Sequence, residues 1–315
     1  MEAYPDPLAV PDRIPRPEYV PESFWSDPWS EVVVLEDLEG EGPLIELGGE
    51  QEKAPGITTE DLDAKVHEFI IERGAYPSPL GYSSFPKSCT TSVNNVIALR
   101  RHTGRTGLII VSAADTSSRP LHPEDIINID LTLFLDGYHG DTSKTFMLPA
   151  VDKLGRDLVE ATREALELGI RACGPGKKFS GIGNAIEDFA KRHGFSVNSQ
   201  FSGHGIGRNF HQKPWILHNR KLLSLPGLGS TTPIPGVMHG LIGDTGNSEP
   251  EVMLPGHCFT IEPCLVQGLN PRGSLWDDGW TMSTETGARS AQFEHQILIT
   301  ESGVDVLTRR AEESV

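Results

Sequence analysis

From Thr58 onward the apolar residues take up a helical rhythm. Leu62, Val66, Phe69 and Ile70 share one face of "TTEDLDAKVHEFIIERG", which predicts an amphipathic helix. Thr58 or Thr59 can cap its start and Gly74 can end it. A second helix is predicted in "DKLGRDLVEATREALELGIRACGPG", where Gly174-Pro175-Gly176 stops the pattern. A third is predicted in "SGIGNAIEDFAKRHGF", capped by Ser180 and closed by Gly194. Between them lie alternating or β-branched runs at 126–135, 143–148, 258–262 and 293–300, which predict strands. Hairpins and helices mix without βαβ regularity, so the expected fold class is α+β.

Two regions depart from this rhythm. Residues 1–28 carry seven prolines and cannot hold a long helix, so they predict an extended arm, lying on the domain or free in solvent. Residues 29–54 are Glu- and Gly-rich with one short apolar run, "VVVLEDL". The chain thus divides into an irregular arm over 1–54, a domain over 55–308 and a polar tail over 309–315. Two further stretches, 99–117 and 221–246, are Gly- and Ser-rich and longer than loops of compact domains usually run.

The strand "IINIDLTLFLDGYHGDTSKTF" carries carboxylates where a core strand would not. Asp136-Gly137 is a strong hairpin-turn signal. With the turn there, Leu135 faces Tyr138 and Asp141 faces Thr132, which puts Asp130, Thr132 and Asp141 on one face. Asp130 and Asp141 become diagonal neighbours roughly 7–8 Å apart at the backbone. Bare and buried, the pair would repel; a bound cation relieves that, and so does a solvated edge hairpin. "GHGIGRNFHQ" adds His204 and His211, "FTIEP" adds Glu262, and "AQFEHQ" adds Glu294. Each alone also reads as an ordinary surface or core residue. Together, two Asp, two Glu and one His on separate elements supply oxygen and nitrogen donors suited to one or two divalent ions such as Mn, Fe, Co or Zn.

Charge and cysteine usage narrow the class. The formal net charge of −17 disfavours nucleic acid as a partner. The four cysteines form no CxxC pair, which predicts a reducing compartment and neither zinc finger nor redox motif. No apolar run is long enough to span a bilayer. The first residues show neither a secretory pattern nor an Arg-rich transit pattern. The expected location is cytoplasmic, with a mitochondrial site as the alternative.

Five segments in order, "GYSSFPKSCTTSVNNV", "IINIDLTLFLDGYHGDTSKTF", "GHGIGRNFHQKP", "HCFTIEP" and "GWTMSTETGARSAQFEHQILIT", closely resemble the type I methionine aminopeptidases. The resemblance runs from about Pro55 to Thr308. It implies the pita-bread fold, a curved antiparallel sheet flanked by helices, and two divalent metal ions held by Asp130, Asp141, His204, Glu262 and Glu294. It implies that a metal-activated water attacks the carbonyl after an N-terminal methionine. Glu262 would carry the proton, and His211 would hydrogen-bond the substrate carbonyl. Tyr82, Phe85, Phe210 and Trp280 would form the methionine side-chain pocket, although plain core packing is the commoner role for any one of them. The implied substrates are N-termini of nascent chains, with a small second residue preferred. A monomer working near the ribosome is expected, without direct nucleic-acid or membrane contact.

The chain also departs from the family. Where the family carries a substrate-contacting histidine, this chain has Leu99, and His102 comes three residues later. Thr90, with Cys89 beside it, stands where many members have a pocket cysteine. The stretches at 99–117 and 221–246 interrupt the family pattern, and the amphipathic helix expected before Pro55 has no counterpart. Translated intron sequence or lineage-specific loops would each produce such interruptions. The Leu99 substitution raises an alternative: a catalytically impaired metal- or peptide-binding protein of the same fold.

Overall fold

The computed structural model describes residues 7–21, 24, 56–103, 107–111, 120–220, 252–277 and 280–313, with backbone alone over 98–111. Among these residues the elements run in the order α1 (Thr59–Glu72), β1 (Tyr76–Pro77), β2 (Thr90–Val93), β3 (Val96–Thr103), β4 (Gly107–Val111), β5 (Ile126–Leu135), β6 (Tyr138–Met147), α2 (Lys153–Arg171) and α3 (Ser180–Arg192). There follow β7 (Phe195–Val197), β8 (Gly203–Gly205), β9 (Gln212–Ile216), β10 (Cys258–Ile261), β11 (Cys264–Gln267), β12 (Gly273–Leu275), β13 (Thr281–Thr284), β14 (Ser290–Gln292), β15 (His295–Ile299) and β16 (Val304–Val306). Pairing among the described strands is antiparallel: β5 lies between β6 on one side and β1 and β2 on the other, and β16-β15-β10-β8-β9 form a second sheet. Smaller sheets follow the orders β14-β11-β7 and β12-β13-β3-β4.

The hairpin forms as its turn chemistry requires. Asp136 and Gly137 both have positive φ, 52° and 86°, which matches the right-handed twist of the flanking strands. Leu135 faces Tyr138 and Thr132 faces Asp141. On the other side, α2 and α3 bury Leu158, Leu166, Ile182 and Ile186 against Ile126, Phe259 and Ile297 of the sheets. This core holds β5, β6 and β10 in place and leaves their polar faces turned toward each other.

Helix ends follow local chemistry with one correction. Thr58 caps α1 in a reciprocal pair with Asp61, and the Asp152 side chain accepts from Gly155 N at the start of α2. Ser180 does not cap α3; it is the first helical residue, and Phe179 stands at the cap position without a side-chain bond. The entry instead tightens into a turn in which Gly181 N donates to Lys178 O and Ile182 N to Phe179 O. Those backbone acceptors satisfy donors that a side-chain cap would otherwise serve.

The stretch expected as a loop at 99–117 is partly strand. β3 and β4 form a hairpin, with Leu99 opposite both Val111 and Thr281. The apolar start "VIAL" of β3 and the apolar run "GLIIV" of β4 outweigh the Gly- and Ser-rich composition around them, and the edge of β13 offers hydrogen bonds. The region 221–246 and the weak run at 32–38 lie outside the described residues. The arm, where described, lies on the domain: Val10, Ile14, Tyr19, Val20 and Phe24 are buried.

Candidate metal centre

Five buried side chains converge from five elements. Asp130 on β5, Asp141 on β6, His204 on β8, Glu262 just after β10 and Glu294 just before β15 are all at most 9% exposed. Ligand atoms of Asp141, His204 and Glu294 lie within 4.8 Å of one another. His204 Nε2 lies 3.6 Å from both Asp141 Oδ2 and Glu262 Oε1. The β8 glycines make this approach possible. A Cβ at Gly203 would sit 2.3 Å from Thr260 O, and one at Gly205 would sit 2.1 Å from Lys213 O. No other residue fits between β10 and β9 at these points.

The electrostatics of the cluster call for a counter-charge. Burial, then repulsion from Asp130 and Glu262, pushes the Asp141 carboxyl well above the usual range, against the Thr132 hydrogen bond. Burial and Asp130 push Glu262 up as well. Burial, Asp141, Glu262 and Asp130 do the same to Glu294, with Arg310 partly opposing them. Burial lowers His204 to about 4, so its imidazole is neutral. Its Nδ1 donates to Gly205 O at 3.1 Å, which leaves the Nε2 lone pair facing Asp141 and Glu262. Four mutually repelling carboxylates and one oriented neutral imidazole fit divalent cations and fit little else.

A layer of polar residues fixes these side chains. The Thr132 hydroxyl donates to Asp141 Oδ1 at 2.7 Å. The Thr260 hydroxyl and the Gln292 amide donate to Glu262 at 2.9 and 3.1 Å. Glu262 N donates to His218 Nε2 at 3.0 Å, and Asp141 N donates to Gln296 Oε1 at 3.2 Å. Arg310 donates to the Thr142 hydroxyl, Ser143 O and Glu294 O at 2.9, 2.6 and 3.3 Å. Arg310 of the tail therefore reaches the site, where the sequence suggested only a polar end. Glu313 bonds both His295 and Arg310, and although burial would raise its carboxyl, these partners hold it well below the usual range. Of these supports, Thr260, Gln292 and Gln296 carried a signal. Each lies two residues from Glu262 or Glu294, on the same strand face.

Beside the metal cluster lies the aromatic group. Tyr82, Phe85, Phe210 and Trp280 belong to one buried cluster. Phe85 meets Trp280 edge-on at 5.4 Å, and Tyr82 meets Phe210 at 4.9 Å. Half-buried His211 stacks on Phe210 at 4.0 Å and lies 4.2 Å from His204, so it joins the aromatic wall to the carboxylate–histidine cluster. Its Nδ1 is 2.9 Å from the Tyr82 hydroxyl. Burial, then His204 and His139, lowers His211 well below its ordinary value. Thr90 pairs with Asp130 across β2 and β5 and is buried. Leu99 lies on β3 opposite Thr281, the residue after Trp280.

A curved antiparallel sheet whose polar face gathers carboxylates and imidazole defines a pita-bread metallopeptidase. Residues 46–301 match metallopeptidase family M24, and the chain belongs to that family, in its methionine aminopeptidase branch. It is 44% identical over 256 residues to methionine aminopeptidase 1D, chloroplastic/mitochondrial, of Arabidopsis thaliana. That alignment covers 81% of this chain but 61% of the relative, so the chain spans less than two thirds of that protein's length. It is 39% identical to methionine aminopeptidase 1D, mitochondrial, of Mus musculus, over 97% of this chain and 81% of the relative. The crystal structure of methionine aminopeptidase from Rickettsia prowazekii superposes with a TM-score of 0.65 at 34% identity, covering 81% of this chain and 87% of that one.

Proposed function

We propose that the protein removes the initiator methionine from new polypeptides, with a small second residue preferred. The observation that carries this is the junction at His211: one side touches the Asp141–His204–Glu294 cluster and the other an aromatic wall. Asp130, Asp141, His204, Glu262 and Glu294 would hold two divalent ions of the Co, Mn, Fe or Zn type. Bound there, such ions supply Lewis-acid activation of a water and of the scissile carbonyl. The chain's own residues do the rest. Glu262, held by Thr260 and Gln292, takes a proton as general base and returns it to the leaving amine. His211 donates to the substrate carbonyl and stabilises the charge that develops there. Tyr82, Phe85, Phe210 and Trp280 receive the methionine side chain, whose polarizable sulfur suits an aromatic slot.

The partners implied are nascent-chain N-termini, met near the ribosome by a monomer. Among the described residues no helix is long and apolar enough to cross a membrane. The organellar names of the Arabidopsis and mouse relatives support the mitochondrial alternative over the cytoplasm.

A second reading, the catalytically impaired binding protein, is favoured by Leu99 at the position of the family's substrate histidine. Incubating the full chain with Met-Ala-Ser peptide and added Mn or Co separates the two. Free methionine, abolished by chelator, supports the aminopeptidase. Stoichiometric metal uptake without methionine release supports the binder.

A further inference from the structure

The described part of the N-terminal arm is built of turns, yet it is buried against the aromatic wall. Two contacts matter. Val20 and Phe24 rest on Gly81: a Cβ there would meet Val20 Cγ1 at 3.0 Å and Phe24 Cδ1 at 3.6 Å. Tyr19 meets Tyr82 edge-on, with ring centres 4.8 Å apart and planes at 86°. The Tyr19 hydroxyl also donates to Ser78 O at 2.6 Å.

Gly81 opens a strained turn. Its φ is +82°, and Ser83 and Ser84 follow at 49° and 67°, values that side-chain-bearing residues adopt at a cost of about 1–3 kcal/mol each. Such a turn persists only where its surroundings hold it. On one side Gly81 N donates to Phe85 O at 2.7 Å and Ser84 N to Gly81 O at 3.1 Å. On the other side stands the arm. Tyr19 also lies parallel to His139 at 6.0 Å, and His139 stacks on Phe210 at 5.3 Å. The arm thus packs directly on the Tyr82 ring and reaches Phe210 through His139; Tyr82 and Phe210 are the two supports of His211.

We propose that the arm is a positioning element for His211: Tyr19, with Val20 and Phe24, holds the Gly81–Ser84 turn so that the Tyr82 hydroxyl donates to His211 Nδ1 and leaves an N–H on Nε2. The use of that N–H on a substrate carbonyl rests on the aminopeptidase reading; the tautomer itself does not. Tyr19 is remote in sequence from the catalytic machinery, and its role is to aim Tyr82.

The test uses the full chain and two readouts. The first is the ¹⁵N imidazole spectrum of His-labelled protein, zinc-loaded at pH 7.5, with His211→Gln assigning the signal. The parent should show one His211 tautomer, protonated at Nε2. Tyr82→Phe and Tyr19→Leu should each mix the tautomers, and Tyr19→Phe should not. The second is Met-Ala-Ser cleavage with Mn. Tyr19→Leu and Tyr82→Phe should each lower kcat by about 10-fold or more, at the low end of what a positioned proton donor contributes. KM should move less than about three-fold, Mn affinity should hold, and the double variant should lose no more than either single one. Tyr19→Phe should restore kcat. If Tyr19→Leu lacks a cooperative melt, Val20→Ala takes its place with the same expectations. An unchanged tautomer and kcat in these arm variants, or losses that multiply in the double variant, would overturn the proposal. A parent that releases no methionine but whose tautomer responds to Tyr19→Leu would sink the aminopeptidase reading and leave the positioning role standing.

Discussion

Thr132 and Asp141 face each other across the β5–β6 hairpin, and the Thr132 hydroxyl donates to Asp141 Oδ1 at 2.7 Å. That bond fixes the carboxylate rotamer, so that Oδ2 is the oxygen near His204. Groups that orient a metal ligand typically contribute 10–100-fold in affinity. Thr132→Val keeps the shape and removes the donor. It should weaken Mn binding by about 10–100-fold with little change in the fold. Titration calorimetry on chelator-stripped protein reads this directly, and parental affinity would show that Asp141 needs no such support.

The stripped protein should respond to pH in an unusual direction. Asp141, Glu262 and Glu294 have carboxyls raised by burial and mutual repulsion. A raised folded-state value means the folded protein holds protons that the unfolded chain has released. Stability contributed by those protons is present at low pH and is lost as pH rises toward the folded values. Buried His139, His204 and His218 are lowered to about 3, 4 and 3. They oppose this slope only below about 6.5, where the unfolded imidazoles charge. Above that pH the histidines are neutral in both states and the carboxylates decide. The stripped protein should therefore lose urea resistance from pH 6.5 to 8.5, whereas Mn-loaded protein should not, because metal takes over from the proton. A stripped protein as stable at pH 8.5 as at 6.5 would show that these carboxylates are ionised without metal.

Much of this centre was legible in the chain, for physical reasons that differ by residue. Asp136-Gly137 fixed the hairpin register, and register placed Asp130, Thr132 and Asp141 on one face. A period of two is enough for that inference. The helices were legible from their apolar stripes, but the start of α3 was not, because backbone acceptors replaced the Ser180 cap. The roles of Tyr19 and Arg310 left no local trace. Tyr19 meets Tyr82 and Arg310 meets Thr142 across long sequence separations, and such contacts follow from the packed fold rather than from any periodicity. The strand at Leu99 was hidden for another reason: its neighbours are Gly- and Ser-rich, and pairing with β13 outweighs their composition.

Arg310 ties the C-terminal tail to both sides of the site. Its guanidinium donates to the Thr142 hydroxyl and Ser143 O on β6, and to Glu294 O. Glu313 in turn holds Arg310 at 2.8 Å. Arg310→Ala leaves two carbonyls and a hydroxyl without this donor in a part-buried setting. Hydrogen bonds to charged groups contribute about 1.5–3 kcal/mol each, and losses within one network overlap. A total loss of about 2–4 kcal/mol is expected from denaturant unfolding. Mn affinity should fall with it, since the backbone at Glu294 and the β6 segment that follows Asp141 lose their common strut. Unchanged stability in Arg310→Ala would mean the tail merely rests on the surface.

On the proposed aminopeptidase reading, position 99 is where a histidine would be needed and leucine stands. Its backbone lies on β3 opposite Thr281, the residue after Trp280 of the aromatic wall. A leucine there offers neither a proton nor a hydrogen bond. One positioned acid–base group contributes roughly 10²–10⁴-fold in rate. Leu99→His should therefore raise kcat/KM for Met-Ala-Ser by about 10²-fold, the lower end of that range, because the β3–β4 hairpin changes the local path of the chain. Mn affinity should not move, since the five acidic and imidazole groups of the centre are untouched. A gain in rate without a gain in metal binding would locate the deficit at this one side chain. No gain, with metal bound and His211 in place, would show that the hairpin carries position 99 away from the reacting carbonyl, and that this chain has kept the metal centre while losing the reaction.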